Sequence, residues 1–281
     1  MALPKLFGLV GYPVKHSLSP LMHNAAFKAL NIDAEYKLFE VRLEELNNFL
    51  KDLNKSNISG LNITVPYKEK VLDFVELGPD SLFLKQVRAV NTIVRRDGKW
   101  EGFNTDIFGF QKHLEEQIDP ELKRAAILGA GGASRAVVYV LADSKAQSID
   151  IFDIDKEKVK NVVAMVKSLF PEFAISGVNS IDELGIRNKD LLVNCTPVGM
   201  KETDLCLVKE EMLHKDLFVY DLIYNPAKTK LLAQAEKKWA KISNGLGMLL
   251  YQGVLAFTYF TGVEPPIKVM EEALKEGVKN L

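Results

Sequence analysis

The sequence predicts an α/β protein with two domains. Strand and helix signals alternate through the first third of the 281-residue chain, and a second alternating series begins near residue 123. Such alternation is typical of a mostly parallel sheet flanked by helices. The length is also sufficient for two domains of ordinary size, and the boundary is predicted near residue 107.

The first series consists of strands and helices joined by short connections. In chain order they are the strand KLFGLVG, the helix SPLMHNAAFKALN, the strand AEYKLFEV, the helix RLEELNNFLKDLNKS, the strand GLNITVP and the helix KEKVLDFVEL. Ser19 is a candidate N-cap of the first helix, and Pro20 suits its first position. In the third strand apolar and polar residues alternate until Pro66, which has no N–H for the ladder.

The second series has the same character. It contains the strand KRAAILGAGG, the helix ASRAVVYVLADS, the strand SIDIFDID, the helix KEKVKNVVAMVKSLF, and the later strands DLLVNCTP and LFVYDLIY. The last stretches, GMLLYQGVLAFTYFTG and PIKVMEEALKEGVKNL, have helical patterns.

Composition excludes several classes of protein. Hydrophobic residues make up 47% of the chain and charged residues 26%, and 36 basic side chains face 37 acidic ones. Without a basic arm or acidic tail, nothing indicates a nucleic acid or a membrane surface as partner. Two cysteines, Cys195 and Cys206, are too few for a disulfide framework. With no signal-peptide pattern and no spanning segment, the sequence predicts a cytoplasmic protein.

A glycine-rich turn joins the first strand and helix of the second series. In AAILGAGGASRAVVYVL, Gly129 permits a tight turn, Gly131 lets the backbone approach a pyrophosphate, and Ser134 is small enough for helix–strand packing. The following helix directs its N–H groups and positive dipole end at such an anion. Asp153 ends the next strand, where a ribose hydroxyl partner belongs, and therefore the pattern favours dinucleotide binding over a purely structural turn.

Polar side chains collect beside the strands of the first series. They are Ser17, Ser19, Asn62, Thr64, Lys68, Asn91 and Asp106. Taken singly, Ser19 fits a helix cap, and Asn91 and Asp106 fit turns, whereas Ser17 has no such structural role. At the carboxyl ends of strands in a parallel sheet they would converge on a cleft. This inventory of hydroxyls, amides, one cation and one carboxylate suits a small polyhydroxylated ligand that bears a carboxylate.

Two other kinds of site are disfavoured. His16 and His23 lie near each other in sequence, but no carboxylate or cysteine cluster accompanies them, so we expect no metal site. The sequence contains no G-x-S-x-G motif, which disfavours a serine hydrolase.

The motifs, taken in order, resemble those of the shikimate dehydrogenase family. They are G-x-P-x-x-H-S-x-S-P-x-x-H-N, G-x-N-x-T-x-P-x-K, A-V-N-T, G-x-N-T-D, G-A-G-G-A-S-R-A, N-x-T-P-x-G-M and G-M-L-x-x-Q, and they extend over nearly the whole chain. The resemblance implies reversible reduction of 3-dehydroshikimate to shikimate by a nicotinamide cofactor, in the pathway to aromatic amino acids. It also implies a substrate domain at 1–106, completed by 246–281, and a Rossmann domain at 107–245.

The same resemblance implies roles for individual residues. Ser17 and Ser19 would bind the substrate carboxylate. The substrate ring would be held by Asn62, Thr64, Lys68, Asn91, Asp106 and Gln252, with Tyr224 facing it. The cofactor would be lined by Gly129, Ala130, Gly131, Gly132, Ala133, Asp153, Ile154, Asp155, Lys158, Thr196, Leu222 and Gly245.

Lys68 and Asp106 are the catalytic candidates. Hydride delivery to the ring carbonyl leaves developing negative charge on oxygen, and a donor within hydrogen-bond reach must neutralise it. Lys68 is the candidate donor with Asp106 as its partner, and in the oxidising direction the same pair accepts the proton. Which of the two is the formal base stays open.

Two other functions stay open as alternatives. A quinate/shikimate dehydrogenase must fit an extra ring hydroxyl, and in that group the second hydroxyl residue of the first motif is often threonine, so Ser19 favours shikimate. A cofactor-binding regulator with a dead site would not need Lys68 and Asp106, both of which are present.

Either a monomer or a homodimer is expected.

The sequence departs from its family where the second Rossmann strand ends. NADP-dependent members typically have Asn-Arg-Thr there, and the arginine binds the 2′-phosphate. Here the aligned residues are Asp153, Ile154 and Asp155. Asp153 can accept a hydrogen bond from the free 2′-hydroxyl of NAD, and Lys156 and Lys158 cannot form the bidentate contact of an arginine. The sequence therefore predicts a preference for NAD over NADP.

Overall fold

The alternating strands and helices form two sheets, each in its own unit of the chain. The protein is described by a computed structural model over residues 4–280. Unit 1 comprises the chain up to Gly109 together with Leu249–Asn280, and unit 2 comprises Phe110–Met248. The predicted first domain also included residues 1–3 and Leu281, which lie outside the described residues.

The elements have the following bounds. The strands are β1 (Lys5–Gly11), β2 (Ala34–Glu40), β3 (Ile58–Ile63), β4 (Thr92–Arg96), β5 (Lys99–Phe103), β6 (Arg124–Leu128), β7 (Ser148–Phe152), β8 (Ile175–Gly177), β9 (Leu191–Asn194), β10 (Phe218–Asp221) and β11 (Lys241–Asn244). The helices are α1 (Ser19–Ala29), α2 (Leu46–Asp52), α3 (Leu84–Val87), α4 (Thr105–Glu115), α5 (Gly132–Asp143), α6 (Lys156–Leu169), α7 (Lys230–Lys237), α8 (Leu246–Thr261) and α9 (Ile267–Lys279). The predicted α/β class is confirmed.

The sheet of unit 1 is mixed, with strand order β2-β1-β3-β4-β5. β2 and β3 are parallel to β1, but β4 is antiparallel to both β3 and β5. The expectation of a mostly parallel sheet is therefore wrong for the part of this sheet that contains β4 and β5. Asp97 and Gly98 join β4 to β5 with φ values of 49° and 80°. Two positive φ values in a two-residue loop give the turn that matches the twist of a hairpin.

The β4–β5 hairpin changes how the polar residues reach one end of this sheet. This end, at which β1 and β3 finish, is called the polar edge. The carboxyl ends of β3 and β5 lie at the same edge, because both strands run antiparallel to β4. Asn91 reaches that edge from the amino end of β4, rather than following a strand as predicted. Asp106 reaches it just after β5, in the first turn of α4.

The segment KEKVLDFVEL, predicted to be helical, is a series of turns with one short 3-10 helix at Leu72–Phe74. Val75 has extended backbone, with φ −111° and ψ 153°. Glu76 then exchanges backbone hydrogen bonds with β5, donating to Trp100 O at 2.8 Å and accepting from Gly102 N at 2.9 Å. Pairing with the outer strand β5 gives the backbone N–H and C=O groups of Glu76 the hydrogen bonds that a helix would otherwise supply.

The sheet of unit 2 has strand order β11-β10-β9-β6-β7-β8, and the pairings within its described residues are parallel. β6, β9 and β10 are buried along almost their full length, which is typical of strands covered on both faces. The strand order reverses between β6 and β9. In open α/β sheets, ligands bind outside the carboxyl ends of the strands at such a switch point.

The C-terminal helices return to unit 1, as predicted. α9 packs on α1 so closely that a Cβ added at Gly277 would lie 2.6 Å from Leu21 Cδ1. In α8, a Cβ at Gly253 would lie 2.9 Å from Met22 Sδ. Among the described residues, no helix combines the length and apolar character that crossing a bilayer requires.

Candidate active site

Lys68 and Asp106 form an ion pair at the polar edge of the unit 1 sheet. Lys68 Nζ lies 2.6 Å from Asp106 Oδ2, and the two side chains are 12% and 7% exposed. The Lys68 backbone is held as well, because its carbonyl accepts from Val90 N at 2.8 Å. A charge-assisted hydrogen bond with so little water around it keeps the ammonium in a fixed position, as a group that transfers protons to a ligand requires.

Beside this pair lies a buried hydrogen-bond network around Asn91. Its Oδ1 accepts from Thr105 N at 2.6 Å, and its Nδ2 donates to Thr105 Oγ1 at 3.0 Å. Thr92 Oγ1 donates to the same Oδ1 at 3.1 Å and accepts from Asn62 Nδ2 at 2.9 Å. Asn91 thus holds the start of α4, where Asp106 lies.

Gln252 of α8 joins the same network. Its Oε1 accepts from Thr105 Oγ1 at 3.5 Å, and its Nε2 donates to Leu249 O at 2.8 Å. The C-terminal segment therefore contributes a side chain to the polar edge formed by the N-terminal segment of unit 1.

Ser17 and Ser19 approach the network from the connection between β1 and α1. Ser17 Oγ lies 3.2 Å from Ser19 Oγ and accepts from Ser19 N at the same distance. Ser19 was expected to cap α1, and this is wrong. The helix begins at Ser19 with Leu18 at the N-cap position, and the side chain of Leu18 makes no capping bond. The Ser19 hydroxyl therefore points to a polar neighbour instead.

That neighbour is Tyr36, from β2. Its phenol is in hydrogen-bond contact with Ser19 and donates to Asn62 Oδ1 at 2.7 Å. Burial raises the pKa of Tyr36, so the phenol keeps its proton and remains a donor. The predicted carboxylate-binding serines and the predicted ring-binding asparagine are thereby connected through one side chain.

His23 lies beneath Tyr36 as a buried aromatic surface. Their rings stack with centroids 4.3 Å apart and an interplanar angle of 3°. Neither ring nitrogen of His23 has a hydrogen-bond partner among the described residues, and burial lowers its pKa to about 3. The imidazole is therefore neutral and acts as part of the core.

Thr64 follows β3 and lies beside the end of β1. Its N–H donates to Val10 O at 2.9 Å. A Cβ added at Gly11 would lie 2.3 Å from Thr64 Cγ2, so the glycine makes room for the threonine.

Three residues of this site were not predicted: Tyr36, Thr92 and Thr105. Thr92 and Thr105 occur inside the A-V-N-T and G-x-N-T-D motifs, so the motifs contained a signal for them. For Tyr36 the sequence shows only an aromatic residue in a strand, and many residues of a protein core fit that description.

In unit 2, the glycine turn leaves β6 as predicted. Gly129 has φ +96°, a conformation that favours glycine, and an added Cβ would lie 3.0 Å from Thr196 Cγ2. An added Cβ at Gly131 would meet no atom within 4 Å, so the backbone there is open to a ligand. Gly131 is the N-cap of α5 and supplies no side-chain cap. Gly132 and Ala133 form the first turn of α5, and such N–H groups suit a phosphate.

Asp153 links this turn to the end of β7. Its Oδ2 accepts from Ala130 N at 2.7 Å, and its Oδ1 accepts from Asp155 N at 2.9 Å. Each carboxylate oxygen keeps a lone pair for a further donor. Ile154 is 92% exposed. Asp155 caps α6 through Glu157 N and Lys158 N, and the Lys158 ammonium lies 3.7 Å from it.

Thr196, Leu222 and Gly245 come together after β9, β10 and β11. Leu222 N donates to Asn194 O at 3.0 Å, and Thr196 N donates to Asn194 Oδ1 at 3.0 Å. A Cβ at Gly245 would lie 1.9 Å from Leu222 O, so only glycine fits there. These residues and the glycine turn share the carboxyl edge of the unit 2 sheet, and their chemistry fits a dinucleotide.

Tyr224 belongs to unit 2, whereas the other predicted substrate residues belong to unit 1. Its role toward the substrate stays a prediction. In residues 4–280 no group of three or more His, Cys, Asp or Glu side chains converges as a metal site would require.

Known proteins resemble the chain over almost its whole length. Two family models match, the shikimate dehydrogenase substrate binding domain over residues 9–93 and the shikimate 5'-dehydrogenase C-terminal domain over residues 245–275. A Methanopyrus kandleri protein named shikimate dehydrogenase (NADP(+)) is 43% identical, over 97% of this chain and 95% of that protein.

Two solved structures extend the comparison. Shikimate 5-dehydrogenase from Listeria monocytogenes, in complex with shikimate and NAD, is 34% identical with a TM-score of 0.85, over 97% of this chain and 96% of that one. Quinate dehydrogenase from Corynebacterium glutamicum, in complex with NAD, is 31% identical with a TM-score of 0.87, over 97% of this chain and 99% of that one.

Proposed function

This chain belongs to the shikimate dehydrogenase family, as its motifs predicted, and we propose that it reversibly reduces 3-dehydroshikimate to shikimate with a nicotinamide dinucleotide. The observation that carries the proposal is the Lys68–Asp106 pair, with 2.6 Å between Nζ and Oδ2 at the polar edge of unit 1. A protein that only binds the cofactor has no need of this pair.

A bound nicotinamide dinucleotide supplies the hydride. Lys68 donates a proton to the ring oxygen as negative charge develops there, which is general acid catalysis. Asp106 fixes the ammonium and balances its charge before the transfer. In the oxidising direction the pair accepts the proton from the shikimate hydroxyl.

The substrate is held by the hydroxyls and amides around the pair. Ser17 and Ser19 donate to the carboxylate, far from the reacting carbon. Asn62, Thr64, Asn91 and Gln252 meet the ring hydroxyls, and Tyr224 completes the set. Support comes from the network that joins Ser19, Tyr36, Asn62 and Asn91, because a preorganised set of donors loses little entropy on binding.

The cofactor would be held in unit 2, with the glycine turn from Gly129 to Ala133, at the N-terminus of α5, as the segment that would bind its pyrophosphate. Thr196, Leu222 and Gly245 would line the cofactor as well, and Asp153 with its neighbours would hold its adenosine ribose. The open space at Gly131 and the acceptor capacity of Asp153 support this assignment.

Within this site the preferred cofactor is NAD. Asp153 accepts a hydrogen bond from a 2′-hydroxyl, whereas a phosphate about 5 Å away would be repelled by roughly 3 kcal/mol per unit charge at an effective dielectric near 20. Ile154 offers no donor, and Lys158 is 54% exposed and lies near Asp155. The proposal departs from the name of the Methanopyrus kandleri relative, which specifies NADP(+).

The test is an initial-rate assay with shikimate and quinate, each against NAD and NADP. We expect shikimate with NAD to give the highest kcat/KM. The similarity to quinate dehydrogenase makes quinate the second candidate substrate. If kcat/KM is higher with quinate than with shikimate, quinate becomes the proposed substrate. No turnover in any of the four combinations would favour a cofactor-binding regulator.

A further inference from the structure

Asp221 is a buried carboxylate at the carboxyl end of β10, with 0% of its surface exposed. It lies opposite Asn194 in the parallel register of β9 and β10. Its Oδ1 accepts from Asn194 Nδ2 at 3.0 Å and from Ile223 N at 3.1 Å, and its Oδ2 accepts from Thr229 Oγ1 at 2.7 Å.

These donors belong to the segments that carry the proposed cofactor contacts. Asn194 holds the next turn through its Oδ1, which accepts from Thr196 Oγ1 at 2.7 Å. Ile223 lies directly after Leu222, and its carbonyl accepts from Gly245 N at 3.2 Å. One carboxylate therefore fixes the backbone on both sides of Leu222 and the turn that presents Thr196.

Only an acceptor group can serve all three donors. An ionised carboxylate accepts at both oxygens, whereas an amide presents two N–H donors at one of the same positions. Burial raises the pKa of Asp221 to about 6, and its hydrogen bonds act in the opposite direction, so the group is ionised at neutral pH.

Such a group is costly for the fold. Among residues 4–280 the hydrogen-bond partners recorded for the carboxylate are neutral, and a buried charge without an opposite charge lowers stability. An apolar side chain would avoid the buried charge but would leave these three donors without an acceptor, so the aspartate is kept where the donors must be held in place.

We propose that Asp221 is a positioning residue for the dinucleotide, which acts by holding the Asn194–Thr196 turn and the Leu222–Ile223 segment in the geometry that the cofactor needs. The inference deepens the proposed function and rests on it. Asp221 itself, being fully buried, makes no contact with the ligand.

The experiment compares the full-length protein with Asp221→Asn and with the control Asp190→Asn. Asp190 is a carboxylate of the same sheet at the amino end of β9, where it accepts from Arg124 N at 2.8 Å and Arg124 Nε at 3.0 Å. For each protein we would titrate NADH and NADPH by fluorescence, measure the KM for shikimate at saturating cofactor, and record thermal unfolding.

We expect Asp221→Asn to raise the Kd of the preferred dinucleotide about tenfold, because the Thr196 turn and the Leu222 segment lose the geometry that the carboxylate holds. The KM for shikimate should stay within about twofold, and the Kd is measured at temperatures below the Tm of each variant. A purely structural role would lower Tm and leave the Kd of the folded protein unchanged. If the parent protein oxidises shikimate and the Kd of Asp221→Asn is unchanged, the inference is wrong.

Failure of the proposed function gives a different result, since the parent protein would then not oxidise shikimate, whether or not it binds NADH or NADPH. If Asp221→Asn does not fold, Thr229→Val and Thr229→Ser form a second pair. The serine keeps the hydroxyl that donates to Asp221, and the valine removes it. A higher Kd in the valine variant alone supports the inference, and equal Kd values in both contradict it.

Discussion

Tyr36 sets the orientation of the Asn62 amide. The phenol donates to Asn62 Oδ1 at 2.7 Å, which leaves Nδ2 to face Thr92 at 2.9 Å. Because Tyr36 also contacts Ser19, one hydroxyl joins two residues proposed to hold opposite parts of the substrate.

Tyr36→Phe should therefore raise the KM for shikimate. Removing a neutral hydrogen bond costs about 1 kcal/mol, which corresponds to roughly a fivefold increase in KM with a smaller change in kcat. Steady-state kinetics at saturating cofactor measures both constants. Tyr139→Phe, in α5 of unit 2, is the control, and an equal change in KM in both variants would contradict the specific role of Tyr36.

Lys68→Ala should lower kcat by orders of magnitude, because it removes the proposed proton donor of the transition state. Asp106→Asn should also be severe, since it leaves the ammonium without its partner. KM should change less than kcat in both. Lys70→Ala, two residues away and exposed, is the control. Near-normal kcat in the Lys68 variant would rule out the proposed role.

Sequence patterns predicted most of these positions for identifiable reasons. Lys68, Asn91 and Asp106 belong to ordered motifs, and the glycine turn belongs to a strand–helix junction with a specific geometry. The antiparallel β4 and β5 were missed although Asp97 and Gly98 form a strong hairpin signal. Tyr36 could not be predicted, since its partners Ser19 and Asn62 come from separate elements that only the folded sheet brings together.

Ser17→Ala and Ser19→Ala should mainly raise the KM for shikimate. Contacts to a carboxylate far from the reacting carbon act equally in the ground state and the transition state. Calorimetry with shikimate should show weaker binding in both variants. Ser56→Ala, whose hydroxyl donates to Leu53 O at 2.8 Å, is a control in the same unit. Normal shikimate binding in both site variants would place the carboxylate elsewhere.

The double variant Asp153→Asn, Ile154→Arg should reverse the cofactor preference. It removes the carboxylate that repels a 2′-phosphate and adds a guanidinium that binds it bidentately. The ratio of kcat/KM for NAD to that for NADP is the measurement, and Ile154→Leu is the control. A wild-type protein that strongly prefers NADP would instead indicate Lys156 or Lys158, and Lys158→Ala would then test that assignment.

His23 should make stability depend on pH. Its pKa is about 3 in the folded protein and 6.5 as the ordinary value, so between these values the unfolded chain binds a proton that the folded chain does not. Stability from this group is complete above pH 6.5 and is lost as pH falls toward 3, by about 1.4 kcal/mol per pH unit.

Denaturant unfolding from pH 7 to pH 4 measures that slope. His23→Phe should reduce the slope of unfolding free energy against pH by the contribution of about one bound proton, because phenylalanine fits the aromatic cluster and does not titrate. His16→Gln, at an exposed position, is the control. If the slope is the same in His23→Phe and in the wild type, other groups account for the acid sensitivity.

The division of unit 1 between two distant segments affects how the protein is made. A ribosome releases Phe110–Met248 as one continuous stretch, so unit 2 can fold while synthesis continues. Unit 1 must wait for its last residues, because Leu21 packs on Gly277 and Gln252 enters the network only with α8. A chain stopped after Met248 should therefore resist protease across unit 2 and be cut readily before Gly109.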